Sequence, residues 1–393
     1  MKQKFLLSGF LILLAAAGFG QPIKRINGTT ISADSLQNKI EYLMKVANVS
    51  GTGVSVFNNN KIVFSKTFGL ADVQKNKPFT QESIMYACSF AKNVFAYIAM
   101  QLLQEKKLDL DKPLVEYLDK PLTEIKIQGY KRGYQDLKND NRINKITARM
   151  CLNHSTGLPN WRWMEADKKL KIKFEPGTRY SYSGEGFYLL QFIICHITGK
   201  DYETLSQERV FIPLGMTHTS QVWQTRFDDN ICYGHNAKGE PYELMKWNEA
   251  SAGGSMSTTL EDYSKFFAAM IQSKNLSAAG FKLMTNPTIR IRSRQQFGPG
   301  AAIDSTDNDN IKLSYGLGVG VFQTPYGRAF FKEGHDDGWG HYSVCFPDKK
   351  IAIVIMTNND NGESIFKELL AYAIGDTFTP WKWEDYIPYD MKN

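Results

Sequence analysis

Cysteine is scarce in this chain of 393 residues, with five at positions 88, 151, 195, 232 and 345. None forms a CxxC pair, and an odd, scattered set argues against a disulfide framework even in an exported protein. Buried free thiols are the expected state, because cysteine packs as a small hydrophobe. Histidine is also sparse, at six residues. No HExxH pair occurs, so nothing calls for a metal or a cofactor. Neither sign of charge dominates: 47 basic and 40 acidic residues leave +7. No basic stripe interleaved with aromatics appears, which argues against nucleic acid as a partner. The Gly-x-Ser-x-Gly elbow is missing, which leaves the α/β-hydrolase arrangement without support. A glycine-rich stretch, Gly316-Leu317-Gly318-Val319-Gly320, lies in strand-like sequence and opens no helix, so no phosphate loop is expected there.

What is present starts with Lys2 and Lys4, an apolar run from Phe5 to Phe19, and small residues at Gly18 and Gly20. That is the layout of a cleaved secretory signal peptide over residues 1–20. The run falls short of the roughly 20 apolar residues a spanning helix needs, and no later run is long enough. The chain is therefore expected to be exported, periplasmic or secreted, with no stable membrane span after cleavage. Loss of Lys2 and Lys4 takes the charge from +7 to +5. Apolar residues make up 42% and charged ones 22%, enough for one large core. We place that domain at 21–378, followed by an aromatic tail at 379–393.

Residues 53–57 and 61–64 read as two β-branched strands across the Asn58-Asn59-Asn60 turn. Helices are expected at 89–105, 147–153, 187–197, 262–271 and 364–374, where apolar residues recur at helical spacing. Further strands are expected at 316–322, 341–346 and 351–356, and 121–145 reads as a polar surface excursion. Strands at both ends with helices between them predict an α/β (α+β) fold. Its antiparallel sheet is built from both chain ends, with flanking helices and an inserted, mostly helical region. In the tail, Trp381, Trp383, Tyr386 and Tyr389 are expected to pin the terminus to the body, with carbohydrate or partner docking as the alternative.

A serine nucleophile needs a base, and two Ser-x-x-Lys tetrads offer one: Ser89-Phe90-Ala91-Lys92 and Ser364-Ile365-Phe366-Lys367. On a helix, positions i and i+3 share a face, so the amine can reach the hydroxyl. The lysine must also be dry enough to lose its proton near neutral pH. Ser89 opens the most apolar helix of the chain. Ser364 has Glu363, Lys367 and Glu368 around it and reads as an N-cap. Ser89 and Lys92 are therefore the expected pair.

The run Tyr86-Ala87-Cys88-Ser89-Phe90-Ala91-Lys92 and the following Leu108-Asp109-Leu110-Asp111-Lys112-Pro113 resemble the first motif of the serine β-lactamase and penicillin-binding protein family, in its class C and esterase branch. Leu152-Asn153-His154-Ser155-Thr156-Gly157-Leu158-Pro159 and Pro176-Gly177-Thr178-Arg179-Tyr180-Ser181-Tyr182-Ser183 resemble later segments, in order and at matching spacing. The resemblance implies an acyl-enzyme on Ser89, a proton acceptor in Lys92, and a base partner and leaving-group acid in Tyr182, its phenol lowered by the charge of Lys92.

Two departures bear on substrate. Gly184 stands where the second motif usually ends in an asparagine that holds a substrate amide. The third motif, usually Lys-Thr-Gly or His-x-Gly, is read here as His335-Asp336-Asp337, with Asp337 in place of the glycine. Gly338 would then give the second oxyanion N–H, and Asp337 would repel a substrate carboxylate. The expectation is a hydrolase for a small-molecule or peptide substrate, esterase-like by preference, cleaving an ester, amide or β-lactam bond. A D-amino-acid peptidase on wall peptides and a non-catalytic binder with a blocked cleft are the alternatives.

Overall fold

A computed structural model of the protein describes residues 21–127 and 133–391. The expected signal segment therefore lies outside the described residues. Nine strands form one antiparallel sheet: β1 Gly51–Asn58, β2 Lys61–Asp72, β3 Lys77–Pro78, β4 Ile289–Arg290, β5 Ser314–Tyr315, β6 Gly320–Thr324, β7 Gly327–Asp336, β8 Trp339–Phe346 and β9 Ile351–Thr357. Their spatial order is β3-β2-β1-β9-β8-β7-β6-β5-β4. The join of β1 to β9 is the pairing of the two chain ends. The expected architecture is the observed one.

The sheet is covered on both faces, and β9 explains how. Ile351, Ile353 and Ile355 enter one core, while Ala352, Val354 and Met356 enter the other. Side chains alternate across a strand, so a continuous apolar run serves two layers at once. One core takes α1 (Ala33–Ala47), the tail and the last helix; the other takes α2 (Phe90–Gln104) and the inserted region. The β1–β2 turn is tight. Asn59 and Asn60 sit at φ 53° and 59°, the left-handed pair that a two-residue hairpin requires.

The expected helices appear as α2, α3 (Ala148–Leu152), α4 (Gly184–Thr198), α5 (Leu260–Ile271) and α6 (Phe366–Ala373). Thr147, Ser183 and Thr259 cap α3, α4 and α5 through their hydroxyls. Several features differ from expectation. Helix α1 and strand β7 were not anticipated. The strand expected at 316–322 begins only at Gly320, because Gly318 (φ 87°) lies against α2, where a Cβ would come 2.3 Å from Ala96 Cβ. Ser364 does not cap α6; it lies in a 3-10 turn, and its hydroxyl donates to Asn361 O at 2.6 Å.

Within 121–145, short 3-10 turns bury Leu122, Leu137 and Ile143, so the excursion is anchored. Trp383 is fully buried, and its indole N–H donates to Ser293 Oγ at 3.1 Å, which pins the tail. All five cysteines are unpaired, four of them buried and Cys195 half-buried. Among the described residues no helix is long and apolar enough to cross a membrane.

Candidate active site

Ser89 stands at the entry of α2, immediately after Cys88, whose φ of 50° is unusual for a residue with a side chain. The short ladder of Met85–Tyr86 with Ser257–Thr258 holds this turn in place, and Ala87 N–H adds a bond to Met256 O at 2.8 Å. Lys92, one turn on, is buried; its amine donates to Ser89 Oγ at 3.0 Å and also to Gly253 O. Tyr182 arrives from the segment before α4, and its hydroxyl donates to Ser89 Oγ at 2.9 Å. The three residues singled out in sequence thus converge on one oxygen.

Burial, with the nearby charge of Lys332, lowers the Lys92 amine to about 7. That puts a fraction of it in the neutral, proton-accepting form at physiological pH. Tyr182 departs from expectation. Burial pushes its phenol up, and the positive charge that partly offsets this belongs to Lys332 rather than Lys92. Tyr182 is therefore a proton donor near neutral pH. Its ring stacks on His154, with centroids 4.1 Å apart. Burial and the two lysines hold that histidine uncharged, and its Nδ1 accepts the Ser183 N–H at 3.0 Å. Sequence reading passed over His154 as a site residue, although it stands inside the quoted Asn153-His154-Ser155 run.

The larger omission is Lys332. It is fully buried, its amine lies 5.4 Å from the Tyr182 ring centroid, and it donates to Glu333 Oε1 at 3.1 Å. Burial is the largest single influence and opposes its charge, but Glu333 and Tyr182 together outweigh it and keep the amine protonated. Gly334 follows, where a Cβ would lie 3.1 Å from Ala87 O and 3.3 Å from Cys88 Cβ. That glycine lets β7 approach the serine turn. The lysine and glycine of the third motif are thus Lys332 and Gly334, three residues before the expected register.

This shift corrects three assignments. His335 lines the cleft, but its side chain is 64% exposed and bonded to Glu363 at 2.9 Å, a contact that raises its pKa. Its charge is already matched, so it is no free attractor of carboxylates. Asp337 does not continue the strand; with Gly338 it forms the turn between β7 and β8, and it lines the cleft rim. Gly338 cannot serve the oxyanion, because its N–H donates to Asp360 Oδ1 at 2.7 Å. The register offers another donor. Asp336 pairs with Trp339 across a two-residue turn, which directs the backbone groups of even-numbered β7 residues at β8. Those of odd-numbered residues face β6, and β6 pairing ends at Phe331. The N–H of His335 therefore points from an open sheet edge into the cleft.

Gly184 opens α4, and its N–H donates to Asn160 Oδ1 at 3.1 Å. The space beside it is filled by Trp161. The cleft around Ser89 measures about 300 Å³.

A lysine and a phenol converging on a buried-helix serine, beside an open sheet edge, define a class: the serine hydrolases that pair their serine with lysine. Within it, the chain belongs to the Beta-lactamase family, whose model matches residues 36–374. It is 23% identical to a D-aminopeptidase of Brucella anthropi, over 84% of this chain and 60% of that protein. It is 24% identical to penicillin-binding protein 4* of Bacillus subtilis (86% and 74%) and 22% identical to a beta-lactamase of Yersinia enterocolitica (84% and 87%). The chain thus spans about three-fifths of the D-aminopeptidase's length. In fold it resembles the D-alanine carboxypeptidase AmpC of Burkholderia cenocepacia, with TM-score 0.67 and 17% identity over 87% of this chain and 98% of that one.

Proposed function

We propose that the enzyme forms an acyl-enzyme on Ser89 and prefers esters to β-lactams. The observation that carries this is the convergence of Lys92 Nζ and Tyr182 OH on Ser89 Oγ, at 3.0 and 2.9 Å. Neutral Lys92 takes the hydroxyl proton as Oγ attacks the carbonyl carbon. The developing oxyanion is held by the N–H groups of Ser89 and His335. The bond to the leaving group then breaks, and Tyr182 gives that group a proton, resupplied from Lys92. Water repeats the sequence on the acyl-serine ester. The missing amide contact at Gly184 supports the ester preference, since one lost hydrogen bond costs about 1–3 kcal/mol.

Nitrocefin, short-chain nitrophenyl esters and D-alanyl peptides, assayed side by side, test this reading. The esters should give the highest kcat/KM, and a fluorophosphonate should label the enzyme. Faster turnover of nitrocefin or of the peptides would overturn the preference. The similarity to a D-aminopeptidase makes a D-amino-acid peptidase the second reading. A non-catalytic binder loses its main argument, since Asp337 sits in a rim turn.

We also place the enzyme outside the cytoplasm, on the strength of the basic and apolar start of the chain. Expressed in full, it should yield a mature amino terminus near Gln21 by mass spectrometry of the periplasmic or medium fraction. Retention in the cytoplasm with Met1 in place would contradict this.

A further inference from the structure

Glycine at 184 leaves a space, and an indole occupies it. A Cβ at Gly184 would lie 2.2 Å from Cη2 of Trp161; one at Gly253 would lie 2.5 Å from the same atom. Trp161 thus sits edge-on against two glycines, its ring centroid 5.6 Å from Lys92 Nζ. Its segment is clamped on either side. Asn160 accepts the N–H groups of Gly184 and Glu185, and Arg162 makes a buried two-armed pair with Glu185 at 2.9 and 2.8 Å. An amide-reading side chain at position 184 is therefore sterically excluded, and not merely missing.

The neighbouring rim is apolar as well. Trp163 lies nearly parallel to Trp161, with centroids 6.5 Å apart and planes 9° from parallel. Phe297 meets the Tyr182 ring at 5.2 Å. Trp163, Met164 and Phe297 are 54%, 60% and 48% exposed, and all three line the cleft that holds Ser89. Single exposed hydrophobic residues are ordinary. Three gathered on one catalytic rim, beside an indole that fills the amide position, point to an apolar ligand group.

We propose that this rim is the acyl-side subsite for an apolar group, so that the enzyme's substrates are esters or amides of aryl- or alkyl-bearing acids. Such a group gains by leaving water for aromatic faces, which replaces the hydrogen bond the family's asparagine would give. The inference rests on Ser89 being the nucleophile.

The test compares nitrophenyl acetate, octanoate and phenylacetate for the parent, Trp163→Ala and Trp163→Phe. The parent's kcat/KM should rise roughly tenfold or more from acetate to the larger acyl groups, a range that hydrophobic pockets reach. Trp163→Ala should flatten that rise, and Trp163→Phe should restore most of it. A second arm addresses Trp161. Gly184→Asn alone should lower the thermal midpoint, and Trp161→Ala combined with Gly184→Asn should recover it while shifting preference towards amides. A flat acyl profile in a parent that turns over all three esters overturns the subsite. So does a Gly184→Asn cost that Trp161→Ala does not relieve. If instead no ester is cleaved and no phosphonate labels Ser89, the nucleophile assignment falls, and the subsite with it.

Discussion

Ser89→Ala is expected to cut turnover by at least about 10³-fold and to abolish fluorophosphonate labelling, as loss of a serine nucleophile does elsewhere. The fold should survive. The Ser89 side chain caps no helix, and Lys92 keeps its bond to Gly253 O. Ser364→Ala is the control that isolates the cause. It carries the same tetrad, but Lys367 is exposed and the Ser364 hydroxyl bonds only its own turn, at Asn361 O. Its loss should cost about 1 kcal/mol of stability and leave turnover and labelling intact. Labelling that persists in Ser89→Ala, or vanishes in Ser364→Ala, would mean that a different oxygen attacks. Intact-mass measurement of the labelled protein distinguishes these outcomes.

Why Ser89 was legible and Lys332 was not is a matter of range. The Ser-x-x-Lys spacing and the apolar run behind it are local, so helix α2 could be read from sequence. Strand β9 could be read the same way, from the six successive apolar residues of 351–356. Helix α1 was legible in principle: Leu36, Ile40, Leu43, Met44 and Ala47 follow helical spacing behind the Ser32 cap. Strand β7 is different. Lys332, Glu333 and Gly334 interrupt its alternation, and a lysine inside a strand makes sense only once Glu333 and Tyr182 stand beside it. His335 resembled the motif because the His-x-Gly form needs only a histidine at its head, with Asp337 read in the glycine's place. The packing of Trp161 on Gly184 bridges 23 positions (184 − 161) and leaves no local trace. Reading Gly184 as a missing contact leaves out the steric block that Trp161 makes there.

Lys332→Met should lower kcat/KM by about 10²-fold, the scale set by removing a preorganised charge from a catalytic site, and its pH profile should reveal the cause. In the parent, Lys92 acts as the neutral amine. The rate should therefore rise with pH through an acid limb near the Lys92 value of about 7. The charge of Lys332 is the second cause, after burial, of that low value. Removing it lets Lys92 hold its proton longer, so the limb moves to higher pH. Glu333 acts in the opposite sense, raising Lys92. Glu333→Gln should therefore move the same limb to lower pH, although the two residues are adjacent on β7 and their amine and carboxylate touch at 3.1 Å. Lys332→Arg keeps the charge and should hold the limb in place even if the longer side chain slows the reaction. A purely structural role for β7 predicts lower rates with unmoved limbs in every variant. Limbs that shift in opposite directions for neighbouring substitutions require instead that Lys332 and Glu333 act electrostatically on Lys92. The measurement is a set of kcat/KM profiles from pH 5 to 9 on one neutral nitrophenyl ester. If the limbs for Lys332→Met and Glu333→Gln move together, or neither moves, Lys92 is not the base whose titration sets the rate.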